Sequence, residues 1–257
     1  EYPPPPHSPS VEMEGNIPNH DEIALSRQTI VRVLTATTVF LLLASIAGQF
    51  MKYFLGYSHA YGFIRLFYVD IEGNIPTFFS STLLLLASLM LALITVFKRS
   101  SKDPYHQHWA LLSLILLYMA IDEAASIHEM LNKVGWWVTG RRVGGIFHYG
   151  WVMFGMVVVG VVALSYLKFF FTLPARTRVQ FFTAAAVFVS GALGVEILEG
   201  FYSASHGGEG SFQFSLFVTV EEGLEMAGII VLINALLIYL IEHYDARLRL
   251  DHFTRRS

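Results

Sequence analysis

Cysteine is absent from this 257-residue chain. That excludes disulfides, thiolate metal ligands and cysteine nucleophiles, without identifying a compartment. Charge is scarce as well. Asp, Glu, Lys and Arg together make up 14% of the residues, where a soluble domain carries about 25%. The net charge of −3 offers no basic surface, so nucleic acid is not an expected partner. The first residue is Glu1, and no cleavable signal peptide is read in the polar stretch at this end.

What is present is apolar. Hydrophobic residues account for 54% of the chain, and the mean hydropathy is +0.52. Six apolar runs, at Ile30–Phe50, Phe78–Phe97, Trp109–Leu131, Phe147–Leu167, Val179–Tyr202 and Phe217–Ile241, each approach the roughly 20 residues a membrane helix needs. The fold class expected is therefore all-α: a polytopic bundle of about six transmembrane helices over residues 28–243. A polar tail, 1–27, lies before it and a basic tail, 244–257, after it. Pro3–Pro6 favours polyproline II or disorder. The pentapeptide EGNIP occurs at Glu14–Pro18 and again at Glu72–Pro76, and reads as a shared turn. The aromatic link from Met51 to Thr77 suits the membrane interface and a short surface helix.

Lys and Arg set the orientation. With the N-terminus inside, the inner segments hold 12 of these residues and the outer segments 5, namely Lys52, Arg65, Lys133, Arg141 and Arg142. Both termini are expected in the cytoplasm, with Arg141 and Arg142 as the dissent.

Three of the apolar runs carry acids. Leu117–Leu131, reading LYMAIDEAASIHEML, holds Asp122, Glu123, His128 and Glu129. The fifth run holds Glu196 and Glu199, and the sixth holds Glu221, Glu222 and Glu225. Ionisable groups in hydrocarbon cost free energy, so they face a bundle interior or cavity and mark a functional site. At about 100° per residue, Tyr118, Asp122, Ser126 and Glu129 form one stripe, with Glu123 at its edge and His128 pointing well away from Glu123. Glu196 and Glu199 share a face, as do Glu221, Glu222 and Glu225. The chain direction places all eight carboxylates between the midplane and the outer interface, Asp122 and Glu225 deepest. Glu129, Glu199 and Glu221 fall nearest the headgroups, where solvation competes with a ligand role. Three helices are thus expected around one outward-facing polar cavity.

No Lys or Arg lies beside these acids within the spans. Protonation, a basic loop residue folding in, or a bound cation would each compensate them. His128, His148 and His206 fall near the same end, and a mixed carboxylate and imidazole shell suits zinc, iron or manganese. The di-iron spacing Glu-x-x-His does not occur. His148 sits among interfacial aromatics and His206 beside Gly207 and Gly208, so both read more simply as interface and loop residues. Gly191, Gly194 and Gly200 are expected to permit close helix contact.

The tracts LFYVDIEGNIPTFFSSTLLLL, LYMAIDEAASIHEML and VEEGLEMAGI resemble uncharacterised bacterial six-span membrane proteins. That group has an Asp-Glu-x-x-Ser-x-His-Glu segment and a later Glu-Glu-x-x-Glu segment. The resemblance implies a bacterial plasma-membrane location and brings no established activity. Zinc-dependent membrane hydrolases of the ceramidase and progestin-receptor-like type are similar in having Ser, Asp and His at a membrane face. Their paired late-helix histidines are replaced here by Glu221, Glu222 and Glu225.

The expected site is a cation centre with Asp122, Glu123, Glu196, Glu222 and Glu225 innermost and Glu129, Glu199 and His128 around them. Its cofactor would be a divalent metal: zinc, iron or manganese. Whether it is an enzyme is left open by the sequence. Two further readings stand beside it: an accessory subunit of a larger membrane complex, and a proton relay or proton-coupled transporter continuing through Asn234, Ser190 and Ser113.

Overall fold

The computed structural model describes residues 26–139 and 148–244. Among these residues there are nine α-helices and no strand. They are α1 (Arg27–Phe54), α2 (Phe63–Phe67), α3 (Ile75–Ser100), α4 (His106–Ala125), α5 (Ile127–Thr139), α6 (Trp151–Thr172), α7 (Ala175–Val189), α8 (Glu196–His206) and α9 (Phe212–Tyr244). A π-helical turn, Ser190–Val195, joins α7 to α8, so Ala175–His206 is one crossing. Six crossings result (α1, α3, α4, α6, α7–α8 and α9), each long and apolar enough to span a membrane. Phe40, Leu89, Leu164 and Phe182 are exposed, as a surface in contact with lipid requires.

The centre of the bundle is α9. Some 61% of its most apolar stretch is buried, against 11% for α6, which lies at the periphery. Around α9 pack α1, α3 and α7. Leu83, Leu91 and Ile94 of α3 meet Met226, Ile233 and Leu236 of α9 in the apolar core. At the end of the bundle remote from the acids, Trp109 packs edge-on to Phe169 and Phe181 and lies against Tyr239.

Small residues set the closest approaches, as at many helix contacts in membranes. A Cβ on Gly228 would lie 2.7 Å from the Phe188 nitrogen, and one on Gly191 would lie 2.8 Å from the Glu221 carbonyl oxygen. Gly194 differs from the expectation, for a Cβ there would meet nothing nearer than Ser190 Cβ at 4.0 Å. Gly200 is buried in α8.

The second EGNIP copy starts α3. Gly73 takes φ +71°, Asn74 Oδ1 accepts the Thr77 N–H at 3.1 Å, and Pro76 occupies the first turn, where its missing N–H costs nothing. Asn74 Nδ2 also donates to the Tyr68 carbonyl at 2.6 Å, which ties the link back over the end of the bundle. The expected surface helix in that link is the short α2 with its preceding 3₁₀ turn, Ala60–Gly62. The first EGNIP copy, the Pro-rich run, Arg141, Arg142, the expected span start at Phe147 and the basic tail from residue 245 lie outside the described residues.

The third span departs from its expected bounds. It stops at Ala125, because Ser126 adopts a left-handed conformation (φ 52°, ψ 41°). An L-residue there costs about 1–2 kcal/mol and turns the chain, so α5 is a separate element.

Candidate functional site

The break at Ser126 is stabilised by Asp122. Its Oδ1 accepts the backbone N–H of His128 at 2.8 Å, and its Oδ2 pairs with His128 Nδ1 at 2.9 Å. The first contact satisfies one of the free N–H groups at the start of α5; the second fixes the imidazole. His128 therefore returns to Asp122 and is also a charged neighbour of Glu123, which corrects the continuous-helix reading that pointed it well away from Glu123. Asp122, Ser126 and Glu129 do not form one stripe, since the helix that would align them ends between them. The side chains of Glu129 and Lys133 lie outside the described residues.

The imidazole of His128 is held above its ordinary range. Burial opposes its charge, and the hydrogen bond and charge of Asp122 outweigh that opposition. The ring also lies 5.4 Å from that of Trp151, centroid to centroid. Trp151 in turn donates its indole N–H to Glu196 Oε1 at 3.1 Å, and its backbone N–H goes to Asn132 Oδ1 at 3.1 Å. The start of α6 is thereby tied to both α5 and α8.

The π-helical turn aims α8. Its extra residue rotates the helix beyond it, and such bulges recur at functional sites. With Gly191 against α9, Glu196 and Glu199 come opposite Glu221. One carboxyl oxygen from each of these three lies within 4.8 Å of the others. Glu199 is 3% exposed and Glu221 8%, so the headgroup solvation expected for both is corrected. Tyr68, Val69 and Phe214 are buried at this end of the bundle and exclude solvent. Glu199 Oε1 is buried with no hydrogen-bond partner.

The three acids of α9 do not act as one face. Successive residues are rotated by about 100°, so Glu221 belongs with α8 while Glu222 belongs with the α3–α4 side, where Glu123 and Glu72 are its charged neighbours. Glu123 has Ser80, Glu72, His128 and Asp122 around it. Glu225 lies between the halves, with Glu123, Glu196, Asp122 and Glu199 as charged neighbours. Among the described residues, no Lys or Arg forms an ion pair with Asp122, Glu123, Glu196, Glu199, Glu221, Glu222 or Glu225.

Several participants were not read from the sequence. Glu72 and Asp70 enter from the link, and the repeated EGNIP was the one signal available for Glu72. A polar layer beside the site is also new. Tyr68 OH donates to Ser215 Oγ at 3.3 Å, Ser215 lies 3.4 Å from Gln49 Oε1, and the Val69 N–H donates to Ser45 Oγ at 3.3 Å. Isolated Ser and Gln in apolar helices give little warning of such a layer. Burial, then the charge of Asp70, pushes the Tyr68 phenol upward, so it stays a proton donor. His148 stacks edge-on with Tyr149, and Tyr149 donates to Glu209 at 2.9 Å. His206 is the last residue of α8 rather than a loop residue and stacks on Tyr202 one turn before it. Neither histidine joins the three-glutamate group.

No curated protein matches the chain, and no solved structure does. One family does, described as a domain of unknown function, DUF8692, and it matches residues 31–240. That range takes in four of the six crossings whole, all but the outermost residues of the first and last, and every carboxylate of the site, and the chain belongs to this family.

Proposed function

We propose that the chain holds a divalent cation inside the membrane, between Glu196, Glu199 and Glu221, on the outer side of the bilayer. The observation that carries this reading is Glu199 Oε1, a buried oxygen with no hydrogen-bond partner among the described residues, beside two further carboxyls and with no Lys or Arg ion-paired to them among those residues. A buried, ionised carboxylate without compensation costs several kcal/mol, and a bound cation would offset that cost. Ligand oxygens around a cation with bonds of about 2.1–2.5 Å lie at most about 4–5 Å apart. The observed limit of 4.8 Å fits that size. An all-carboxylate set suits a hard cation such as manganese, magnesium or calcium better than zinc. The imidazole of His128 bonds Asp122 through Nδ1 only, and it is not among the three groups whose ligand atoms come together. A cation held by these residues would polarise bound water, and Glu225, a charged neighbour of Glu196 and Glu199 outside the group, would be the residue to take a proton from it.

The test is metal analysis of detergent-purified protein, with thermal unfolding in chelator and in added Mn²⁺, Mg²⁺, Ca²⁺ or Zn²⁺. About one metal per chain, or a rise in Tm saturating with one of these ions, is expected. Neither a stoichiometric metal nor any metal-dependent shift would end the reading.

Transmembrane proton relay fits the interior less well. Its candidate groups are bonded locally: Asn234 Oδ1 accepts from Arg27 at 2.6 Å, Ser113 and Ser88 each donate to the other's carbonyl, and Ser190 donates to the Val187 carbonyl. Between the acids and the far end lie Leu84, Ala87, Leu91, Ile230 and Ile233.

A further inference from the structure

Among the described residues, the charged groups gathered at this end are carboxylates and histidines, with one local exception. The link folding back from α1 leaves a cleft of about 600 Å³, lined by Lys52, Ser58, His59, Arg65, Tyr68 and Asp70 among others. Lys52 comes from the last turn of α1 and Arg65 from the last turn of α2. Two basic side chains, an imidazole and the hydroxyls of Ser58 and Tyr68 therefore line one cavity against a single acid.

The rim is apolar and outward. Phe54, Tyr57 and Leu66 are exposed, and Tyr61 stands fully clear of the protein at 112%. Aromatic side chains flanked by Lys and Arg at the end of a crossing occupy the headgroup level of a bilayer. The turn presenting Tyr61 holds three successive left-handed residues, Ala60 (φ 42°), Tyr61 (φ 53°) and Gly62 (φ 90°). Two of these are not glycine, and strain of that kind is retained where it shapes a ligand site. On the inner side, Tyr68 bonds into the Ser215 layer, and Asp70 is a charged neighbour of Glu199 and Glu222. The cleft therefore adjoins the carboxylate site.

We propose that this cleft binds the phosphate group of an anionic amphiphile, with Lys52 and Arg65 holding the phosphate, Ser58 donating to it, and Phe54, Tyr57 and Tyr61 lying in the surrounding lipid. The inference does not rest on the cation reading.

Native mass spectrometry of the full chain, released from nanodiscs of equal phosphatidylglycerol and phosphatidylcholine, measures it. Wild type retains phosphatidylglycerol preferentially. The Lys52→Gln/Arg65→Gln variant loses about 30-fold in that retention, as removal of two interfacial cations implies. The exposed Arg99→Gln at the other end changes nothing. Lys52→Gln alone serves if the double variant unfolds. Inorganic phosphate raising the Tm of wild type but not of the variant, without lipid preference, assigns the same cleft to free phosphate. Equal retention of both lipids by wild type and variant, with no phosphate-dependent shift, overturns the proposal.

Discussion

Asp122 shows how much one side chain decides. It caps α5 through the His128 N–H and holds the His128 ring. The His128 value is raised from 6.5, so the stabilisation from the charged pair is fully present below pH 6.5 and is lost as pH rises through the higher folded value. Asp122→Asn keeps a cap oxygen and removes the charge. It is expected to cost about 1.5–3 kcal/mol near pH 6 and much less near pH 9, read as a Tm difference from wild type that shrinks with pH. A difference constant across that range would show that the pair is not charged. Glu199 carries the opposite expectation. Glu199→Gln removes a buried carboxyl with an unpartnered oxygen, so in chelator the variant should be at least as stable as wild type, with any gain about 1–3 kcal/mol. In metal it should lose the stabilisation that wild type gains. Both residues were legible as acids too polar for their surroundings. The neighbouring contacts were not, because Trp151, which donates to Glu196, and Gln49, which lies against Ser215, look ordinary until distant helices bring them to the site.

At the scale of elements, the π-helical turn and α9 form the joint on which the site depends. A Cβ on Gly191 would press on the Glu221 carbonyl at 2.8 Å and on Glu225 Cγ at 3.2 Å. Backbone cannot yield there as a flexible side chain would, so Gly191→Ala is expected to cost about 1–3 kcal/mol and to weaken metal-dependent stabilisation. Gly194→Ala, with only Ser190 Cβ at 4.0 Å, should be neutral or slightly stabilising in the same melts, as removal of a helical glycine implies. Equal losses in the two variants would deny Gly191 its special place. The crossings themselves were readable from hydropathy to within a few residues at most ends. The exception, the end of α4, arises from local chemistry: Asp122 reaches forward to His128 and offsets the strain of the left-handed Ser126, and periodicity carries no trace of that.

For the whole molecule, the polar end and the apolar remainder predict different transport behaviour. With Leu84, Leu91, Ile230 and Ile233 packed between the acids and the far end, liposomes containing the protein should show proton flux no greater than protein-free liposomes under a pH gradient. A flux abolished by Asp122→Asn would reverse that conclusion. The proposed binding of an anionic lipid and of a cation should be independent of each other, since the cleft at Lys52 and Arg65 and the group at Glu199 use different side chains.

Composition and hydropathy by themselves determined an all-α membrane protein with six crossings and acids concentrated toward one end, because the cost of moving polar groups into lipid is written in the order of residues. Only the tertiary structure decided which acids meet. Glu221 parts from Glu222 to join Glu196 and Glu199, and His128 closes onto Asp122. Helical periodicity gives directions around one axis; it is the approach of Gly191 to α9 and the reversal at Ser126 that set which axes face each other.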